Sequence, residues 1–219
     1  RVDMRIVLGL EYCGVGFCGW QSQPQGCGVQ DSLEAAVSTI AGEKTSVTAA
    51  GRTDTGVHAA LQVVHFDAAA KRPLSAWVRG VNSHLPPGVA VMWAREVRDD
   101  FHARFAATQR GYHYVLLNHP VRPGLNNGLI GWHHRPLDVA AMNIAAAQLI
   151  GQHDFSAFRA AECQARSPVK ELRLAKIERH GDYLLCDFRA DGFLHHMVRN
   201  LMGCLIQVGA GAQPPAWMH

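Results

Sequence analysis

Two strand-like runs, residues 171–179 and 183–190, are separated only by His180-Gly181-Asp182. A link that short leaves no room for a crossover helix, so the two runs have to pair antiparallel as a hairpin. The same period of two opens the chain over residues 4–12, where Met4, Ile6, Leu8 and Leu10 alternate with Arg5, Val7, Gly9 and Glu11, the pattern of a half-buried strand. Further strands are expected at 45–49, 62–66, 89–97 and 112–117. Helical spacing takes over where Leu33, Ala36, Val37 and Ile40 follow Asp31 and Glu34, which are set like a capping pair. It returns at Leu74, Trp77, Val78 and Val81, then over 137–151 and over 193–208. Helices and hairpin-linked strands without strict β-α-β alternation define an α+β fold with a largely antiparallel sheet. Two loosely similar halves are expected, residues 1–100 and 101–219, sharing one sheet.

The 219 residues suit one large domain or two small ones. With 48% apolar and 18% charged residues, disorder is excluded for most of the chain. No run approaches the roughly 18 apolar residues of a membrane span, and the opening RVDMRIVLGLEY lacks a signal-peptide pattern. A soluble, cytoplasmic protein is expected. The formal charge of +3 is mild, but 17 of the 21 basic residues are Arg, whose planar fork suits phosphate oxygens and stacking. The six cysteines, at 13, 18, 27, 163, 186 and 204, contain no C-x-x-C pair, so reduced thiols serving as core filler are expected.

Several common sites are absent. Gly14-Val15-Gly16-Phe17-Cys18-Gly19 has the spacing of a dinucleotide fingerprint, but Trp20–Gly26 continues as loop where a helix has to open, so it reads as a flexible turn. The pairs His133-His134 and His195-His196 join neighbours that point to different faces and seldom share an ion. No metal and no cofactor is expected.

Chemistry concentrates in Gly51-Arg52-Thr53-Asp54-Thr55-Gly56-Val57-His58-Ala59, an acid and a cation among glycines between two strands. Read alone, it is equally a surface turn with a weak Arg52–Asp54 ion pair. Arg110-Gly111-Tyr112-His113-Tyr114 starts a strand with both tyrosines on one side, suited to stacking on a base or to packing in the core. Phe101-His102-Ala103-Arg104-Phe105 mixes aromatics with a cation, and Glu162-Cys163-Gln164-Ala165-Arg166 puts an arginine in a polar loop. Arg199 opens a mainly apolar helix after Gly192-Phe193-Leu194-His195-His196, which argues for a buried or half-buried carboxylate partner.

In order, GRTDTGVHA, FHARF, RGYHY, DFSAFR and GFLHHMVRN resemble the motif series of the TruA-type tRNA pseudouridine synthases, across nearly the whole chain. The resemblance implies two halves with a catalytic cleft between them, a homodimer, and tRNA as substrate, its uridines at positions 38–40 of the anticodon arm isomerised to pseudouridine. That reaction breaks the bond from base nitrogen to ribose C1′, turns the base, and joins C5 to C1′. It adds no atoms and needs no metal or cosubstrate. By resemblance Asp54 is the catalytic carboxylate, attacking C1′, attacking the base or abstracting a ribose proton. Arg199 pairs with Asp54, Tyr112 stacks on the extruded base, and Arg52 fills the vacated space or holds the flipped nucleotide. Arg72, Arg104 and Arg166 are candidates for backbone phosphates. His58 is expected to make a structural hydrogen bond. Thr55 stands where the family more often has Ala, and relatives continue past a segment like Gln213–Trp217, which implies a missing tail. The alternatives are a noncatalytic RNA-binding or RNA-folding protein on this scaffold and, from the histidines, a metal-dependent hydrolase.

Overall fold

The computed structural model describes residues 3–163 and 165–219. It divides into two compact units, Arg1–Ala107 and Thr108–His219. The division follows Ala107 rather than residue 100 for a local reason: the Nδ1 of His65, on a strand of the first unit, accepts the backbone N–H of Ala103 at 3.1 Å, which ties the FHARF segment to that unit.

In the first unit β1 (Met4–Tyr12), β2 (Thr48–Ala49), β3 (Ala59–Ala68) and β4 (Val89–Val97) form a sheet in the order β2-β3-β1-β4, every neighbour antiparallel. The alternation in β1 holds, with Ile6, Leu8, Leu10 and Tyr12 packed against Leu33 and Val37 of α1 (Val29–Ala41), and against Phe66 and Trp77. Its other face is not open. Val7 is also buried, and the Trp93 ring lies so close over Gly9 that a β-carbon there would stand 2.1 Å from it, so only glycine fits. The capping of α1 differs from the expected pair. Gly28 is the N-cap, and Asp31 reaches back to accept its N–H at 2.9 Å, while Glu34 accepts the N–H of Val47 at 2.9 Å. That side-chain anchoring is why only Thr48–Ala49 of the expected 45–49 strand joins the ladder. Residues 74–82 form the expected short helix, with wider π-type turns at Ala76–Gly80.

The cysteines require a correction. Cys18 and Cys27 are joined by a disulfide, Cα to Cα 5.3 Å, within the loop between β1 and α1. The backbone already brings them together, since the Cys18 N–H donates to the Cys27 carbonyl at 2.8 Å. Cys186 fits the core-filler reading: it is fully buried, and burial pushes its thiol up to about 12.

In the second unit β5 (Arg110–Asn118), β6 (Gly131–His133), β7 (Gly151–Asp154), β8 (Val169–His180) and β9 (Tyr183–Ala190) run in the order β6-β5-β9-β8-β7. The β8–β9 hairpin is the one the sequence demanded. β6 pairs parallel with β5, and all other pairs are antiparallel. The α+β class and its antiparallel bias stand. The strands nevertheless form two sheets, one in each unit, where a single shared sheet was expected, because the ladders among the described residues close within each unit.

Two helices cover this second sheet and begin or end differently from expectation. α2 (Val139–Ala147) starts at the N-cap Asp138, whose carboxylate accepts the Ala141 N–H at 3.0 Å. It stops short of 151 because Gly151, at φ 104°, turns the chain into β7. α3 (Met197–Gly209) begins four residues later than its apolar pattern, because His196 adopts a left-handed conformation at its N-cap. Gly209 lets the helices approach closely, since a β-carbon there would meet Met142 Sδ at 2.7 Å. The core joins Met142, Phe155, Leu172, Phe188, Leu201 and Leu205. Among the described residues no helix is long and apolar enough to cross a membrane.

Candidate active site

The GRTD loop leaves β2 and returns into β3, and its backbone is held from several sides. The Gln62 amide donates to the Gly51 carbonyl at 2.7 Å. The Trp20 N–H donates to the Thr53 carbonyl at 3.0 Å, and Tyr12 Oη lies 2.7 Å from Thr53 Oγ1. Burial pushes the Tyr12 hydroxyl up, against opposing hydrogen bonds to Thr53 and Gln62, so the contact is between neutral groups. Beyond Asp54 the chain closes a turn, the Val57 N–H donating to the Asp54 carbonyl at 3.1 Å with Gly56 at φ 81°. His58 makes the structural bond anticipated for it, its Nδ1 accepting the Gly14 N–H at 2.9 Å.

The glycine-rich loop has a definite purpose that the sequence reading missed. A β-carbon on Gly14 would stand 2.2 Å from the Val57 carbonyl oxygen, and one on Gly19 would stand 2.8 Å from that of Thr53. Those glycines let one backbone lie directly on another, so Asp54 is carried by a double-layered, hydrogen-bonded shelf. The signal was the G-x-G-x-x-G string itself; what it lacked was any indication that its partner is protein rather than nucleotide.

Asp54 is partly buried, and Arg52, on the same loop, is exposed. The two other basic candidates of this unit lie elsewhere. Arg72 donates through Nε to the Ile40 carbonyl at 3.0 Å, at the C-terminal end of α1. The glycine-rich loop meets the other end of that helix, about 16 Å away at the rise of an α-helix. Arg104 is exposed beyond Ala103, whose anchor His65 is about 20 Å along β3 from the end of the GRTD loop at Ala59.

In the second unit Tyr112 and Tyr114 share a face of β5 and play different parts. Tyr112 meets Phe193 edge to face, ring centres 5.0 Å apart, which brings the RGYHY and GFLHHMVRN motifs together. The Arg110 guanidinium reinforces this by donating to the Asp191 carbonyl at 2.9 Å. Tyr114 packs on the core and against Gly131. Burial pushes its phenol up, and the positive charge of Arg199 on α3 opposes this. Arg199 itself is exposed. The cost of burying an unpaired guanidinium, which argued for a partner from sequence, therefore does not arise, and its role rests on the motif.

Asn200, next to it, was not singled out from sequence. Its amide donates to the Phe158 carbonyl at 2.9 Å and so ties the DFSAFR motif to α3. The left-handed His196, φ 61°, is the one non-glycine residue with positive φ among the described residues, a local strain of the kind proteins keep at working sites. Arg166 is exposed in the segment after DFSAFR; its neighbour Gln164 lies outside the described residues.

A profile of the family described as tRNA pseudouridine synthase matches residues 10–106 and 145–219. The chain belongs to this family, whose members are isomerases that turn uridine into pseudouridine. Proteins named tRNA pseudouridine synthase A resemble it along nearly its whole length. The one from Thiobacillus denitrificans is 81% identical over 216 residues, covering 99% of this chain and 83% of that protein. Those from Chromobacterium violaceum, at 63% over 217 residues, and Dechloromonas aromatica, at 60% over 216, cover 99% of this chain and 83% and 82% of their own lengths.

Proposed function

We propose that the chain isomerises uridines 38–40 in the anticodon arm of tRNA, with Asp54 as the catalytic carboxylate. The observation that carries this reading is the shelf under Asp54. Tyr12, Trp20 and His58 fix the loop on both sides of the acid, and Gly14 and Gly19 admit the close approach. A carboxylate that acts on a base for only part of a rotation needs this fixed placement, since misplacement by 1 Å can cost about a hundredfold in rate.

The reaction breaks N1–C1′ and forms C5–C1′; the proton on C5 leaves to water and N1 gains one. The target base leaves its stack at a cost of about a few kcal/mol. Tyr112, held edge to face by Phe193, offers it a ring to stack on. Arg52, exposed beside Asp54, holds the flipped nucleotide. Arg199 supplies the counter-charge for the carboxylate, and Arg72, Arg104 and Arg166 contact phosphates along the arm. The exposure of Arg72, Arg104 and Arg166 suits that role. The protein works as a homodimer in the cytoplasm.

Tritium release from tRNA labelled at uridine C5 tests the proposal, because forming the new bond must expel that label. Wild-type protein releases label and Asp54→Ala and Asp54→Asn do not. Release that persists in either variant contradicts the assignment.

A further inference from the structure

Among the described residues Phe105 is the most exposed aromatic side chain, at 77%. Nothing in the assigned roles above uses it. An exposed phenyl ring on a loose loop means little, but this one is held. His102 stacks on it with ring centres 4.2 Å apart and planes 26° from parallel. The His102 ring is fixed in turn, because its Nδ1 faces the backbone N–H groups of Arg104 at 3.2 Å and Phe105 at 3.3 Å.

The segment beneath is anchored to the sheet. Ala103 is buried and donates its N–H to His65, and His65 sits edge-on to both Phe101 and His102. Arg5, paired with Asp67, donates to the Phe101 carbonyl at 2.8 Å. The acids at the head of the segment are turned to cations: Asp100 pairs with Arg98 at 3.0 Å, and Asp99 acts on Arg5. Exposed Arg104 stands between the two rings in sequence.

We propose that Phe105, stacked on His102, is a platform for one unpaired base of the RNA substrate, with Arg104 directed to a flanking phosphate. This rests on the reading of tRNA as substrate and adds to it a second contact, distinct from the Asp54 loop. The chemistry favours a base over an apolar protein face. The platform is a single flat ring already stacked on another, beside a guanidinium, which matches the π-face and adjoining phosphate of a nucleotide. A protein partner would call for a broader apolar patch.

Binding of an unmodified tRNA transcript, measured at one fixed salt concentration, tests it with Phe105→Ala, Phe105→Leu and Phe105→Trp. Stacking predicts about ten- to a hundredfold weaker binding for Ala and Leu, and Trp within about threefold of wild type. Three outcomes overturn the inference. The first is Leu binding as tightly as wild type, since retained bulk without a π-face would then suffice; the second is Ala binding as tightly as wild type; the third is a changed mass of the free Ala variant in light scattering, which would make the face a contact between copies. Binding is read without turnover. A wild-type protein that releases no tritium therefore counts against the proposed function, whereas an active wild type with fully binding variants counts against the platform alone.

Discussion

The Tyr12 hydroxyl, at the end of the central strand β1, stands 2.7 Å from Thr53 Oγ1, one residue before Asp54. An inner strand of the first sheet is thereby coupled directly to the loop that carries the acid. Tyr12→Phe removes this bond and keeps the ring in the core. The expected cost is about 0.5–1.5 kcal/mol of stability, with a larger fractional loss, about tenfold, in tritium release. Parallel denaturant titration and initial rates check it; a rate that falls no further than the folded fraction contradicts the coupling.

The backbone-on-backbone contact is more severe to disturb. In Gly14→Ala the new β-carbon meets the Val57 carbonyl oxygen at 2.2 Å, and backbone cannot swing aside as a side chain can. Overpacking of this kind costs about 1–3 kcal/mol, and the displaced loop carries Asp54 with it. Gly14→Ala is expected to lower activity at least a hundredfold while its circular dichroism stays folded. Gly26→Ala is the control: its β-carbon meets nothing within 4 Å, so its positive φ of 69° costs stability only.

How much of this was legible beforehand depends on what each feature needs from the rest of the chain. The β8–β9 hairpin was readable because its turn and both alternating runs are local. So was the strand character of β1, though not that Trp93 would cover Gly9 from β4, a contact that depends on pairing across more than eighty residues. The three-residue strand β6 was not anticipated, because a parallel pairing with β5 leaves no mark in so short a run. Asp54, Tyr112 and Arg199 came from long motifs. What supports them did not: the Tyr12 hydroxyl, the Trp20 backbone N–H and the Asn200 side-chain amide each bond a partner more than thirty residues away, and such contacts carry no local residue pattern. Cysteine spacing could not reveal the Cys18–Cys27 bridge, since it is the loop's fold onto α1 that brings the two together.

That bridge has a measurable effect. It closes a loop of sequence separation 9, beside Gly19 and Trp20 of the shelf. Chain entropy puts its contribution at about 2–3 kcal/mol. Reduction by dithiothreitol is expected to lower the unfolding midpoint by several degrees, and the Cys18→Ser, Cys27→Ser double variant is expected to match the reduced protein and to ignore the reductant. A wild-type midpoint unaffected by reductant contradicts this.

Stability also depends on pH through His65. Burial, then the nearby charges of Arg5 and His102, hold its imidazole below the ordinary histidine value, with Asp67 opposing. The folded protein therefore binds this proton less readily than the unfolded chain does, and its Nδ1 must stay unprotonated to accept from Ala103. The contribution is complete above about pH 6.5, declines as pH falls below that value, and levels off below the folded-state value. Urea midpoints from pH 7.5 to 5.5 are expected to fall more steeply for wild type than for His65→Gln. Equal slopes contradict the assignment.

The central claim is that Asp54 drives isomerisation at defined anticodon-arm uridines. Position-resolved mapping of pseudouridine in an unmodified tRNA transcript, incubated with wild-type protein or with Asp54→Asn, tests it most directly. The account predicts pseudouridine at positions 38, 39 and 40, wherever a uridine stands there, with the wild type and none with the variant. Pseudouridine formed by the variant, or formed by the wild type only outside the anticodon arm, contradicts it.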